Sequence, residues 1–167
     1  MGSVHEVLSG LDRLAIAMVL GALLGFNRSM RHKAAGPRTF AMVAMGAAMF
    51  TWLGTTLVTP QGDTSAAISR ITQGLVTGVG FLGAGIIFRG QGRQVRGLTS
   101  AAALWFAASL GSAVGAGHWQ VGLVATALGL IVLSAIPLEK RVTQRVSRRM
   151  PRRSPRPDRG DQPPFDH

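Results

Sequence analysis

The chain has 167 residues, of which 47% are hydrophobic and 15% charged, and it contains 22 glycines and no cysteine. Its formal net charge of +11 would suit a nucleic-acid-binding protein, but nine of the 18 basic residues lie in the last 29 positions and most others lie in two short loops between apolar runs. That distribution leaves no folded basic surface for nucleic acid, and the lack of cysteine excludes disulfides and cysteine-based zinc sites, so the composition indicates a membrane protein.

The apolar runs predict five membrane-spanning helices, because a helix of about 20 residues crosses the hydrocarbon core of a bilayer. The first predicted span, 8–27, has to include Asp12 and Arg13, since the uncharged run alone is too short. The second and third spans are predicted at 39–59 and 70–88. The uncharged stretch from 97 to 138 would be ~63 Å long as a helix, which is enough for two crossings. A break at the glycines near residue 116 divides it into spans 98–115 and 119–138.

Basic residues predict the orientation, because they are retained on the cytoplasmic side of a membrane. Sixteen of the 18 follow span 1, span 3 or span 5, and with five spans these three segments face one compartment. The amino terminus is therefore predicted outside the cytoplasm and the carboxyl terminus inside. Residues 1–140 are expected to form an all-α, polytopic membrane helix bundle. Residues 141–167 are expected to form a basic, Pro-rich, disordered tail that anchors the chain or binds anionic lipids.

Residues 78–85 read Gly-Val-Gly-Phe-Leu-Gly-Ala-Gly and contain the pattern G-x-G-x-x-G. A dinucleotide-binding loop would need a preceding strand and an acidic residue about 20 positions later, but the next acidic residue is Glu139. Two structural interpretations stay open. Gly74 and Gly78 have the spacing of small residues that bring transmembrane helices into close contact. Alternatively, the glycines break span 3 and expose backbone carbonyls to a cavity.

Polar residues at the ends of the predicted spans are further candidates for function. Arginines at cytoplasmic ends usually anchor the topology and extend toward the interface, whereas charges on the outer side are rare in this chain. If Asp12 and Arg13 enter the membrane, they should face protein or water. We therefore hypothesise an ion pair between Asp12 and Arg70 that joins spans 1 and 3.

The sequence offers little support for catalysis or for a metal site. Its four histidines are scattered, and it has neither a G-x-S-x-G nor a P-loop motif. Magnesium sites in proteins usually include carboxylates, yet the second to fifth predicted spans contain no Asp or Glu. We predict no enzymatic activity, no cofactor and no metal site. A small cation or solute transporter or channel, built around a broken span 3, is the alternative to a binding protein.

Three segments resemble motifs of the MgtC/SapB family in order and spacing. Residues 33–39, Lys-Ala-Ala-Gly-Pro-Arg-Thr, are similar to the family's "GKxAGLRT" loop. Arg70, Gln73-Gly74 and residues 78–85 look like its "GIGFLGAG" stretch. Residues 96–105, Arg-Gly-Leu-Thr-Ser-Ala-Ala-Ala-Leu-Trp, resemble its "GLTTAAxxW" segment. The resemblance covers roughly residues 10–135, which is the whole predicted membrane domain.

The chain also departs from the pattern of the family it resembles. Well-known members carry a folded cytoplasmic domain after the last span, where this sequence has its basic tail. Members often carry Glu-Arg-Glu after the first span, whereas this chain has Asn27-Arg28-Ser29. In the first loop, Pro37 replaces the usual Leu, and Phe40 stands where some relatives have His. In the last motif, Ser100 replaces a Thr.

The resemblance implies a non-enzymatic protein of the bacterial inner membrane, tied to growth at low magnesium and, in pathogens, to survival inside host cells. Similar proteins are thought to bind and modulate other membrane machinery, including the F-type ATP synthase, without carrying magnesium; a homo-oligomer is also compatible. The candidate functional or interaction residues combine the matched motifs with the polar span ends: Asp12, Asn27, Arg28, Lys33, Gly36, Arg38, Thr39, Asp63, Arg70, Gly78, Gly80, Phe81, Gly83, Gly85, Arg96, Gly97, Thr99 and Trp105.

Overall fold

The computed structural model describes residues 4–31, 33, 35–58, 62–89 and 95–147, with the backbone alone at Arg89 and at 136–147. This part of the chain contains five helices and one short antiparallel strand pair, in which Phe88 lies opposite Arg96. The predicted all-α helix bundle is confirmed; the strand pair lies where a loop was expected. The elements are α1 (Val4–Ser29), α2 (Pro37–Thr56), α3 (Thr64–Ile86), β1 (Phe88–Arg89), β2 (Val95–Arg96), α4 (Leu98–Gly115) and α5 (Trp119–Ser147).

Local signals at the helix ends extend several helices beyond the apolar runs. α2 begins at Pro37, whose fixed φ and missing N–H suit the first helical position. α3 begins before the predicted span at residue 70, because the Asp63 carboxylate accepts hydrogen bonds from the backbone N–H groups of Ser65 (2.9 Å) and Ala66 (3.2 Å). α5 continues to Ser147. The backbone of residues 141–147 is therefore helical, while the rest of the predicted tail lies outside the described residues.

Three of the described helices are long and apolar enough to cross a membrane, namely α1, α2 and α4. The described apolar part of α5, Trp119–Ala135, is shorter, and α3 is not among the three. Ser, Thr, Gln and Arg70 dilute the apolar residues of α3, which explains its weaker hydropathy. The chain is a membrane protein, and five crossings with a cytoplasmic carboxyl end stay a prediction.

Small residues let α1, α2 and α4 pack closely in the centre of the bundle. A Cβ atom on Gly21 of α1 would lie 2.6 Å from the backbone oxygen of Phe40 in α2. A Cβ atom on Gly111 of α4 would overlap the backbone oxygen of Ala44 in α2. In a bilayer such close packing, rather than exclusion of water, holds helices together. The core is accordingly rich in buried alanines: Ala17, Ala44, Ala47, Ala48, Ala103, Ala107 and Ala108.

The two remaining helices differ in how they join this core. The first part of α5 packs against α1 and α4, since a Cβ atom on Gly129 would lie 2.7 Å from Phe106 and 3.2 Å from Leu24. The chain divides after Ser134 into two units, and the remainder of α5 belongs to the second. α3 contacts α2 and α4 but buries only Val79 and Gly83. It is therefore a peripheral helix of the first unit.

The first unit has two ends of different charge. At one end, the Arg13 side chain in α1 donates a hydrogen bond to the carbonyl of Gly115 at the end of α4 (2.8 Å). The acidic residues with described side chains, Glu6, Asp12 and Asp63, lie toward this end, which we call the acidic end. At the other end, Gly97 at the start of α4 touches Ile86 at the end of α3. We call this the basic end, because it carries Arg28, Arg31, Lys33, Arg38 and Arg96.

Candidate functional site

An apolar groove of about 590 Å³ lies between α2 and α3. Three glycines contribute backbone rather than side chains to its surface: Gly46 from α2, and Gly74 and Gly78 from α3. A Cβ atom on any of these three would meet nothing within 4 Å. The groove therefore offers room for an apolar surface to approach the backbone. Its other lining residues are Met42, Val43, Ala47, Phe50, Ile71, Leu75, Val79 and Leu82.

Of the two structural interpretations considered from the sequence, the broken helix is wrong, and close helix contact is not found within the described part of this chain. α3 is continuous from Thr64 to Ile86, so the segment does not break the helix. The glycines do not bring α3 into close contact with another helix of this chain either. Added Cβ atoms on Gly74, Gly78, Gly80 and Gly85 would meet nothing within 4 Å, and one on Gly83 would make only an ordinary contact of 3.6 Å with Ala101.

Arg28 is buried at the basic end, where the sequence predicted an arginine extending toward the membrane surface. Its side chain is only 1% exposed, and its Nη2 atom donates a hydrogen bond of 2.6 Å to the Ser100 hydroxyl. Its Nε atom and the Oδ1 atom of Asn27 are buried without a hydrogen-bond partner among the described residues. Such groups are uncommon in folded proteins and call for an explanation. Burial arises because Arg28 lies on the face of α1 that packs against α4.

Two neighbours of Arg28 connect the same region to α5. The Asn27 Nδ2 atom donates to the Ser134 hydroxyl at 3.2 Å, and the Arg31 Nη2 atom contacts the Ser134 carbonyl at 3.4 Å. Arg31 is half-buried. Two guanidinium groups thus lie at one end of the bundle, and both have only neutral oxygen atoms as described hydrogen-bond acceptors.

The first turn of α4 borders this cluster. Its N-cap residue, Gly97, has a φ angle of 95°, and no side chain caps the helix. The first backbone hydrogen bond of the helix runs from the Ala101 N–H to the Gly97 carbonyl (2.9 Å). The N–H groups of the first turn therefore have no partner within the helix. Ser100, which accepts from Arg28, belongs to this turn.

Of the candidate residues at the acidic end, Asp63 has a structural role. The hydrogen bond from the Ser65 hydroxyl, and then those from the Ala66 and Ser65 backbone, lower the pKa of Asp63 from its ordinary value. Asp63 is thus the cap of α3, a role that its place before Thr-Ser could have suggested. Asp12 and Arg70 are both exposed, and no ion pair between them is present among the described contacts.

The structure brings only some of the other candidates together. Gly36 is the N-cap of α2, and Thr99 lies beside Ser100 in the first turn of α4. Gly80 and Gly85 do not line the groove. The remaining candidates have exposed side chains distributed over several elements: Lys33, Arg38, Thr39, Phe81, Arg96 and Trp105.

Several polar contacts between distant helices were missed from the sequence. Ser134 and Arg31 at the basic end are examples, and so is the buried Thr51 hydroxyl of α2, which lies 2.9 Å from the Ser112 hydroxyl of α4. A lone polar residue inside an apolar span is a usable signal, because such residues usually face protein. The sequence does not reveal which partner each one meets. Within the described residues, no group of three or more His, Cys, Asp or Glu could hold a metal ion.

Comparisons with known proteins cover the helices described above. A model described as the MgtC family matches residues 14–141. Protein SrpB of Synechococcus elongatus is 43% identical over 141 residues, which cover 78% of this chain and 76% of that protein. No solved structure matches the chain.

Proteins named MgtC from two pathogens are similar over a comparable stretch. Protein MgtC of Brucella abortus is 45% identical over 123 residues, or 74% of this chain and 49% of that protein. Protein MgtC of Salmonella typhimurium is 43% identical over 131 residues, or 78% of this chain and 52% of that protein. The chain thus spans about half the length of these MgtC relatives.

Proposed function

The chain belongs to the MgtC family, and on that basis we propose that it is a multi-pass protein of the bacterial inner membrane that regulates another membrane protein through helix contacts. The proposed context is the one that the family resemblance implies, adaptation to low magnesium or to stress inside a host. The proposed action is non-enzymatic. The observation that carries this proposal is the open groove between α2 and α3.

The groove has the properties of a surface that receives a transmembrane helix. Helices associate in lipid where small residues let their backbones approach closely, and Gly46, Gly74 and Gly78 provide such a surface. Elsewhere in this chain, the glycines of α1 and α4 are already occupied by neighbouring helices. The groove glycines are free of such contacts, so a helix from another chain can pack closely against them in the way that the core helices pack against one another.

The occupant that we propose is an apolar helix of a second membrane protein. Little of the groove's lining is polar, which suits a helix without charged residues at that depth. Of the partners that the family resemblance implies, the membrane sector of the F-type ATP synthase is the first to test. With the predicted topology, the basic end would face the cytoplasm, and the groove would lie within the bilayer.

Two matched variants test the groove. Gly78→Leu would fill it, whereas Gly80→Leu adds the same side chain to an open position of α3 outside the groove lining. Tagged full-length chains would be expressed in their native bacterium, purified in mild detergent and analysed by quantitative mass spectrometry. We expect a membrane partner to co-purify with the wild type and Gly80→Leu and to be depleted with Gly78→Leu. Equal recovery with both variants would contradict the proposed site.

Flux measurements address the action itself. The purified chain would be reconstituted in proteoliposomes, and magnesium and proton flux would be recorded for the wild type, Gly80→Leu and Arg70→Ala. We expect no flux above that of empty liposomes. Flux that either substitution abolishes would identify a transporter and overturn the regulatory proposal.

A further inference from the structure

Arg28 carries a positive charge into the interior of the protein without a described counter-charge. Its guanidinium stays protonated under all ordinary conditions, its side chain is 1% exposed, and its described partner is the neutral Ser100 hydroxyl. A buried charge that lacks an opposite charge is costly. The unpartnered Nε–H is a further donor in need of an acceptor. An anion at this position would satisfy both requirements.

The acidic residues with described side chains lie at the opposite end of the first unit. Glu6 and Asp12 lie in the first half of α1, whereas Arg28 is near its last residue. Asp63 caps the start of α3, whose other end meets Gly97 beside the Arg28 cluster. At 1.5 Å per residue, α3 separates these two ends by roughly 35 Å. None of these three carboxylates therefore compensates Arg28.

The start of α4 adds a second, independent reason for an anion. The 18-residue helix has no side-chain cap, so the N–H groups of its first turn point toward the basic end. The partial positive charge of a helix N-terminus attracts anions and repels cations. Yet Arg28 contacts this turn through Ser100, and Arg31 lies at the same end. Among the described side chains, only like charges therefore face one another at this place.

The chemistry of these donors selects a particular anion. Guanidinium groups and the backbone N–H groups of a helix start are recurrent ligands of phosphate oxygens. The cluster lies at the end of apolar helices that are long enough to cross a membrane. This is the depth at which phospholipid headgroups lie. Two sources of a phosphate group are therefore considered, an anionic lipid headgroup and a free phosphate ion.

We propose that the first turn of α4 and the buried Arg28 guanidinium form a phosphate-binding site, with Arg31 as an auxiliary cation. The ligand is a phosphate group, supplied either by an anionic phospholipid or by inorganic phosphate. The site is separate from the α2–α3 groove, so it does not depend on the proposed regulatory contact.

The principal test compares Arg28→Gln with Arg38→Gln in the full-length chain. Both substitutions remove one positive charge from the basic end, but Arg38 is exposed on α2. The basic tail is the same in both, so its attraction for anions cancels. Binding of dioleoylphosphatidylglycerol and of inorganic phosphate would be measured by native mass spectrometry and thermal unfolding in detergent. Dioleoylglycerol, which lacks phosphate, is the control lipid.

We expect Arg28→Gln to weaken phosphate binding about tenfold or more relative to Arg38→Gln, the size expected for the loss of a charge-assisted hydrogen bond. Selective binding of phosphatidylglycerol would identify the lipid as the source, and binding of inorganic phosphate would identify the free ion. Equal affinities of the two variants, or a wild type that responds to neither probe, would overturn the proposal.

A second pair of variants covers the case in which Arg28→Gln does not fold. Arg28→Lys keeps the charge but lacks the planar fork that holds phosphate oxygens, and Arg38→Lys is its control. We expect a several-fold weaker affinity for Arg28→Lys alone. If Arg28 served only to tie α1 to α4 through Ser100, both lysine variants would bind phosphate equally, and Ser100→Ala would lower the unfolding temperature without any probe-dependent difference.

Discussion

Glycines have opposite surroundings in two regions of this protein. In the core formed by α1, α2 and α4, a Cβ atom on Gly21 or Gly111 would collide with the backbone of α2. In α3, Cβ atoms on Gly74, Gly78, Gly80 and Gly85 would meet open space. A high density of glycines in the sequence therefore does not by itself indicate where helices pack closely. In α3, the most glycine-rich segment borders a groove instead.

The consequences for stability differ in the same way. Core glycines permit contacts that hold the bundle together in lipid. Glycines in open positions give α3 no packing within the chain and reduce its intrinsic helix propensity by about 1 kcal/mol each relative to alanine in water. Residues that lower stability without making compensating packing contacts are typical of functional surfaces. The comparison therefore favours the groove as a working face.

The largest expected effect comes from giving both regions the same side chain. Gly111→Leu would force side-chain atoms into the backbone of Ala44, and overpacking of this kind costs about 3 kcal/mol or more when backbone cannot move away. Gly78→Leu should leave stability nearly unchanged. Thermal unfolding in detergent measures both. Equal destabilisation would mean that the two regions do not differ as described.

A smaller effect is expected at the junction where α3 meets the core. Gly97 has a φ angle of 95°, and a Cβ atom there would overlap the carbonyl of Ile86. Gly97→Ala should therefore cost about 2 kcal/mol through strain in the left-handed conformation and this contact. The matched control is Gly36→Ala, at another N-cap, where φ is −108° and no atom lies within 4 Å. Unfolding midpoints that fall by the same amount would contradict this assignment.

The acidic end of the core offers an intermediate test. Arg13→Gln removes the hydrogen bond of 2.8 Å to the Gly115 carbonyl, which ties α1 to α4. We expect a loss of about 1–2 kcal/mol, because the donor is charged and partly buried. Arg38→Gln, at an exposed position, should change stability little. The free energies of unfolding of the two variants would be measured in the same detergent. An Arg13→Gln variant as stable as the wild type would show that this hydrogen bond is not formed in solution.

The smallest effect is expected at the start of α3. Hydrogen bonds lower the pKa of Asp63 from its ordinary 3.8, so the carboxylate binds protons more weakly in the folded state than in the unfolded state. Its stabilising contribution is therefore complete above about pH 4 and is lost as the pH falls through the lowered value. Asp63→Asn should keep the cap while removing this pH dependence. The unfolding midpoints of the wild type and Asp63→Asn would be measured as a function of pH. Identical pH profiles for the two chains would refute the stabilising contribution of the Asp63 carboxylate.

Particular elements show how far the sequence was informative. The predicted breaks between the apolar runs lie close to the observed helix ends at Gly115 and Trp119, because turn and capping signals are local. The extension of α3 back to Thr64 was missed, although Asp63 is a local cap signal, because the span was delimited by hydropathy alone. The burial of Arg28 was also missed, since an arginine at a span end normally reaches the interface.

The sequence by itself determined the class of protein, the all-α bundle, the order of its helices and the charge difference between its ends. These features depend on composition and on neighbours within a few residues. The tertiary structure decided which glycines are packed, that α3 is continuous and peripheral, and that Arg28 is buried against Ser100. Those features depend on contacts such as Asn27 with Ser134, which are 107 positions apart in the chain. No local pattern contains that information, because each partner is defined only once the helices have come together.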